Sequence, residues 1–150
     1  MKYIGPLLIA LFLLSACSKK RAEKQAEEDE QIILDYIADQ GLTAVATGTG
    51  LYYVINDAGT GTQPVSSSDV TVAYKGYFTD GNVFDESTAA GITFNLQGVI
   101  QGWTEGIPKL KEGGDGILLI PSALGYGSNG SGSIPGNTVL IFDVELIDVL

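Results

Sequence analysis

The sequence predicts an α+β domain in which several antiparallel strands accompany one short internal helix. Three observations carry that reading. From about Thr49 onward large apolar residues alternate with smaller or polar ones, as in Val70, Val72, Tyr74 and Phe78 against Thr71, Ala73 and Lys75, the period of a strand with one buried face. Val99, Ile100, Trp103 and Ile107 replace that alternation by helical spacing over a single short stretch. The first seventeen residues have the layout of an export signal rather than of a folded element.

Composition sets the limits. The chain has 150 residues, one domain's worth, and is 45% hydrophobic with seven tyrosines, five phenylalanines and one tryptophan, too apolar for a disordered protein. It has no histidine, which excludes Ser-His-Asp and Cys-His nucleophile systems, HExxH zinc hydrolases and any imidazole base. A single cysteine forms no intramolecular disulfide. The net charge of −10 repels phosphate backbones, so no nucleic acid is expected as a partner.

Residues 1–16 read as a signal peptide. Lys2 supplies a positive end, and the apolar run Leu7–Leu14 is too short to span ~30 Å of hydrocarbon as a helix. The stop, Leu14-Ser15-Ala16-Cys17, resembles the bacterial lipoprotein box, which implies lipidation of Cys17 after cleavage; a plain secretory signal with an incidental cysteine is the alternative. Two or three acyl chains would anchor the protein stably, each buried methylene contributing ~0.8 kcal/mol. Ser18 is not the aspartate that retains lipoproteins at the inner membrane of enteric bacteria. The expected location is therefore the cell envelope, anchored in the outer membrane and facing the periplasm.

Residues 17–48 form the next segment. Residues 18–31, SKKRAEKQAEEDEQ, hold almost nothing to bury and read as a flexible or loosely helical tether, its basic half near the lipid headgroups. In IILDYIADQ (32–40), Ile33, Tyr36 and Ile37 recur at helical spacing and Gly41 is a stop, giving one short amphipathic helix. That helix either packs on its own domain, spaces the domain from the membrane, or dimerises.

The domain proper is expected over 49–150. Leu51–Asn56 is β-rich and runs into the turn cluster DAGTGTQP; after the strand at Val70–Phe78, Asp80-Gly81 offers a hairpin turn before Val83 and Phe84. Ile92–Leu96 is a short strand, followed by the helix. Gly113-Gly114 is a turn, Ile117–Ile120 is apolar on both faces, and Leu140, Phe142, Val144 and Leu146 alternate with Asp143 and Glu145 to close the chain.

The charged residues show no evident acid-base pair; Asp85 and Glu86 are neighbours and in a strand point to opposite faces. The stretch GSNGSGSIPG (127–136) lacks the Lys-Ser/Thr ending of a phosphate loop and precedes a strand. What is abundant is aromatic and aliphatic residues beside turns, which by themselves read as core or as the lining of a pocket.

Four segments decide between these. VAYKGYFTDGNVFD (72–85), VIQGWTEGIPKLKEGG (99–114), IPSALGYG (120–127) and SIPGNTVLIFDVELIDV (133–149) resemble, in order, the motifs of FKBP-type peptidyl-prolyl cis-trans isomerases over about residues 50–149. The resemblance implies a twisted antiparallel β-sheet wrapped around one short α-helix, with an apolar pocket between them. It implies catalytic roles for Tyr74, Phe84, Asp85, Trp103, Tyr126 and Phe142. Trp103 corresponds to the indole floor, Tyr126 to the hydroxyl that bonds a ligand carbonyl, and Asp85 to the carboxylate tied to the tyrosine at the Tyr74 position, the other reading of Asp85 being a turn or capping acid. Ile92, Val99, Ile100 and Ile134 correspond to substrate-binding walls, with the Ile100 N–H as a second donor.

The implied activity is rotation about X-Pro bonds in exported proteins, with binding of the twisted amide in the apolar pocket; a chaperone-like module that holds proline peptides or unfolded chains without catalysis is the alternative. No cofactor or metal is implied. The implied partners are proline-containing exported polypeptides, with macrolide FKBP inhibitors as further ligands, and the protein is expected to be a monomer unless the N-terminal helix makes a dimer. The sequence departs from the family at Ile92, often aromatic, at Ser133, often apolar, in the short polar loop Ser128–Ser133, and at Asp115-Gly116, where basic residues are usual. Substrate preference is not carried over.

Overall fold

A computed structural model describes residues 5–150, with side chains from Ser18 onward. Residues 1–4, and the side chains of the rest of the expected signal peptide (1–16) and of Cys17 with its expected lipidation, lie outside the described residues. The elements are α1 (Gly5–Gln40), β1 (Val45–Ala46), β2 (Tyr52–Asp57), β3 (Asp69–Tyr77), β4 (Val83–Glu86), β5 (Ile92–Asn95), α2 (Gln101–Gly106), β6 (Asp115–Ile120) and β7 (Leu140–Val149). Three single-turn 3-10 segments, at Leu96–Gly98, Ile107–Lys109 and Ser122–Leu124, punctuate the connections.

The seven strands form one antiparallel sheet in the order β1-β2-β6-β7-β3-β4, with β5 paired to the free half of β3 beside β4. Strand register sorts the side chains. On β3, β6 and β7 the pairs Val72↔Leu146, Tyr74↔Val144, Leu118↔Phe142 and Ile120↔Leu140 share one face. That face closes over α2, where Trp103 and Ile107 complete a core with Val70, Leu96, Leu110 and Leu51. A bulge between Thr71 and Val72 shifts the register so that Val149 also packs against this core, against the simple alternation of β7. Helix α2 lies close on β6 because Gly102 and Gly106 face Ile120 and Leu118; a Cβ at either would stand 2.5 and 2.7 Å from those side chains.

The opposite face is covered by α1. Ile33 and Leu119 are fully buried and Val139 nearly so, with Tyr36, Ile37, Tyr52, Val54 and Ile117 around them. This explains why Ile117–Ile120 is apolar on both faces: its even residues meet α2 and its odd ones meet α1. Among the described residues no helix is long and apolar enough to cross a membrane.

The structure differs from the sequence reading at the N-terminal segment. The residues read as a tether and those read as a separate short helix belong to a single α-helix that ends at Gly41, whose φ is +63° and whose N–H bonds the Ala38 carbonyl. Apart from Ser18 and Asp29 the tether residues are Ala, Glu, Lys, Gln and Arg, strong helix formers, and Lys19–Glu23 and Lys24–Glu28 pair at i, i+4. A composition that cannot build a core can still build a helix. Nor is the segment wholly solvated, since Asp29 is only 1% exposed.

Candidate functional site

Between the even face of the sheet and α2, the core opens into a cavity of about 600 Å³, a volume within the range of small-ligand sites. Trp103, the third residue of α2, is 5% exposed and stands at the base of the cavity. Its indole meets Tyr74 and Phe142 edge-on, with centroids 5.0 and 5.2 Å away, and Phe94 at 5.3 Å. Phe142 in turn meets Phe84 edge-on at 5.4 Å, and Phe84 meets Phe78 at 5.0 Å. Edge-to-face pairs of this kind add ~0.5–1.5 kcal/mol each beyond burial. The walls are thus fixed by rings locking rings.

Register explains the polar corner. Asp85 pairs with Gly76, two residues along β3 from Tyr74, so its carboxylate is the diagonal neighbour of the Tyr74 side chain. The Tyr74 hydroxyl donates to Asp85 Oδ2 at 2.7 Å. Burial first, and then the bond to Asp85 and its negative charge, push the Tyr74 pKa up to about 12, with Tyr126 adding a smaller electrostatic contribution. A bulge makes Phe84 an extra residue between Val83 and Asp85, so adjacent Phe84 and Asp85 both line the cavity where plain alternation would separate them.

Polar groups are few. The indole N–H of Trp103 is buried with no acceptor among the described residues. Ile100 caps α2 in an extended conformation, and its carbonyl takes the Trp103 and Thr104 N–H groups. Tyr126, 39% exposed, stands at the mouth. Ser131 and Ile134 exchange two backbone hydrogen bonds of 2.9 Å around Gly132-Ser133, a tight hairpin whose four residues all line the cavity. Among the described residues no cluster of three or more His, Cys, Asp or Glu could hold a metal ion.

All ten residues singled out in the sequence line this one cavity: Tyr74, Phe84, Asp85, Ile92, Val99, Ile100, Trp103, Tyr126, Ile134 and Phe142. The structure adds Phe94, Gly98 and Ser131–Ser133. Phe94 was legible, since it lies two residues from Ile92 on the same strand and so on the same face. The serines carry no such signal, because a hairpin tip has no period.

Comparison with known proteins gives the same answer along the chain. The family model for FKBP-type peptidyl-prolyl cis-trans isomerase matches residues 60–147. The FKBP-type peptidyl-prolyl cis-trans isomerase FkpA of Escherichia coli strain K12 is 40% identical over 142 residues, covering 91% of this chain and 52% of that protein. The chain thus spans about half the length of the curated relatives it matches. The crystal structure of Escherichia coli FkpA superposes with a TM-score of 0.73 at 36% identity, covering 98% of this chain and 74% of the other. A peptidyl-prolyl cis-trans isomerase structure from Pseudomonas syringae pv. tomato gives 0.72 at 34% identity, covering 85% and 94%. The matched span 60–147 contains every residue that lines the ring-walled cavity, and the chain belongs to the FKBP-type peptidyl-prolyl cis-trans isomerase family.

Proposed function

We propose that this protein accelerates cis-trans rotation of X-Pro bonds in exported polypeptides. The observation that carries the reading is a cavity floored by an indole, walled by edge-packed phenyl rings, and furnished with only a few polar groups. Rotation about the bond faces ~18–20 kcal/mol because it breaks amide resonance. The twisted state separates less charge than the planar amide, so a site that strips water from the carbonyl favours twist over plane. No proton moves, which fits a chain without histidine. Each ~1.4 kcal/mol of preference for the twisted form is tenfold in rate.

In this reading Trp103, Phe84 and Phe142 receive the pyrrolidine ring, Val99, Ile92 and Ile134 close around the neighbouring residues, and the Tyr126 hydroxyl and Ile100 N–H donate to the peptide carbonyls. Asp85, held by Tyr74, shapes the polar side. Lipidation of Cys17 in the cell envelope, with the domain facing the periplasm, would put the activity where exported chains fold. Uncatalysed exchange takes tens to hundreds of seconds, slow enough to limit that folding.

A protease-coupled assay on an X-Pro peptide tests the reading. The full-length chain is expected to accelerate cis-to-trans exchange; binding of the peptide with no acceleration would establish a holding module instead, and neither binding nor rate would remove the site.

A further inference from the structure

Among the described residues, Asp29 is the charged side chain that the fold buries, and it lies on α1, outside the cavity. Taking a carboxylate out of water is strongly unfavourable unless both oxygens are satisfied. Here they are. Oδ2 accepts from the Ser122 N–H at 2.8 Å and from the Ser122 hydroxyl at 2.6 Å, and Oδ1 accepts from Gln25 Nε2 at 2.8 Å. Ser122 itself is 2% exposed and stands 93 residues away in the chain.

Ser122 opens the turn that carries Tyr126. Its carbonyl accepts the N–H of Gly125 at 3.1 Å and of Gly127 at 2.8 Å, so both neighbours of Tyr126 hang from the residue that Asp29 clamps. The other aromatic rings of the cavity, Tyr74, Phe84, Phe94, Trp103 and Phe142, are held by one another. Tyr126 makes no such ring contact among the described residues and is 39% exposed, so its place is set by its backbone. We propose that Asp29 is a positioning residue for Tyr126, which makes helix α1 part of the substrate site although none of its described residues lines the cavity.

The proposal rests on the isomerase reading, and two measurements separate their failures. The first needs no activity: in full-length Asp29→Ala, amide hydrogen exchange at Gly125 and Gly127 is expected to quicken about tenfold or more while β6 and β7 amides keep their protection, the signature of local rather than global opening. The second is a double-mutant cycle on kcat/KM. Asp29→Ala is expected to lower kcat/KM about fivefold in the native background and less than about twofold in a Tyr126→Phe background, because coupled residues are not additive. Asp29→Asn, which keeps an oxygen acceptor, is expected to recover part of the loss, and it replaces Asp29→Ala in both measurements if the alanine variant does not fold.

Equal losses in both backgrounds, or exchange that quickens uniformly across the sheet, would mean that Asp29 only stabilises the fold, and the proposal falls. An inactive native chain overturns the isomerase reading instead; the exchange pattern then decides whether Asp29 holds the Tyr126 turn.

Discussion

The Tyr74 hydroxyl is bonded to Asp85 Oδ2 at 2.7 Å across two strands, and this is the contact that joins the apolar wall of the cavity to its polar corner. Tyr74 also meets the Trp103 floor edge-on at 5.0 Å, so one ring positions both. Tyr74→Phe keeps the ring and removes the donor. It is expected to lower kcat/KM about threefold to tenfold while costing about 1 kcal/mol of stability, the usual net worth of such a bond. Asp85→Leu should lower kcat/KM further, since the carboxylate itself is lost. Peptide rates beside urea midpoints check both; rates equal to the native protein in both variants would remove this corner from the site.

The same pair sets an alkaline limit. A tyrosine whose folded pKa, about 12, stands above its ordinary value of 10.0 contributes stability that is fully present below about pH 10 and is lost as pH rises through about 12. On the opposite face Tyr77 is shifted in the same direction, by burial and by hydrogen bonds to Tyr36 and Asp143. The thermal midpoint is therefore expected to hold between about pH 7 and 9 and to fall above about pH 10. Tyr74→Phe should flatten the first part of that fall. An identical alkaline slope in the variant would show that Tyr74 does not carry it.

Gly76 is needed for closeness rather than for its backbone angles. A Cβ there would lie 2.6 Å from Phe84 and 2.7 Å from Phe142, two rings that cannot swing aside without losing each other and, for Phe142, Trp103. Gly76→Ala is expected to cost about 1–3 kcal/mol by overpacking. Because the displaced rings are cavity walls, kcat/KM should fall about tenfold or more, beyond what the residual unfolded fraction explains. Peptide assays at a temperature where the variant is fully folded decide it.

The sheet side of this molecule was legible from the chain because its two periods are clean. Val70, Val72 and Tyr74 alternate and Trp103 and Ile107 are spaced by four, which gives one buried sheet face and one helix; the cavity between them is implied only by the resemblance to the family. What was not legible depends on faces that only the fold brings together. Asp29 reads as one more charge in a charged run, and nothing in its neighbourhood shows that Ser122 will reach it. Phe84 and Asp85 both face the cavity only because of a bulge, and periodicity has no sign for an inserted residue. Ile117 and Leu119 make their strand apolar on both faces, but nothing in the chain says that α1 supplies the second core that takes them.

That second core gives its own prediction. Ile33 is 0% exposed, packed on Leu119 and Val139 from the far side of the sheet. Ile33→Ala is expected to lower stability by about 2–4 kcal/mol through lost burial and the cavity left behind. Urea denaturation of the full-length chain measures it. A loss below about 0.5 kcal/mol, the size of an ordinary surface substitution, would mean that α1 does not dock on the sheet in solution.

Trp103 is the chain's single tryptophan, so its emission reports on the cavity floor without any label. The indole is 5% exposed, its N–H has no acceptor among the described residues, and three aromatic rings surround it. A pyrrolidine ring seated on that floor would change the polarity around the indole. Titration with an X-Pro peptide is therefore expected to give a saturable shift in Trp103 emission, and the same peptide with alanine in place of proline should give about tenfold weaker binding or none, a difference of ~1.4 kcal/mol or more. Gly76→Ala, by pushing Phe84 and Phe142 into the space, should weaken the proline response. If the native chain accelerated exchange while Trp103 emission stayed constant through saturation, the reacting amide would have to lie elsewhere than above the indole, and the assignment of the cavity as the site of rotation would be lost.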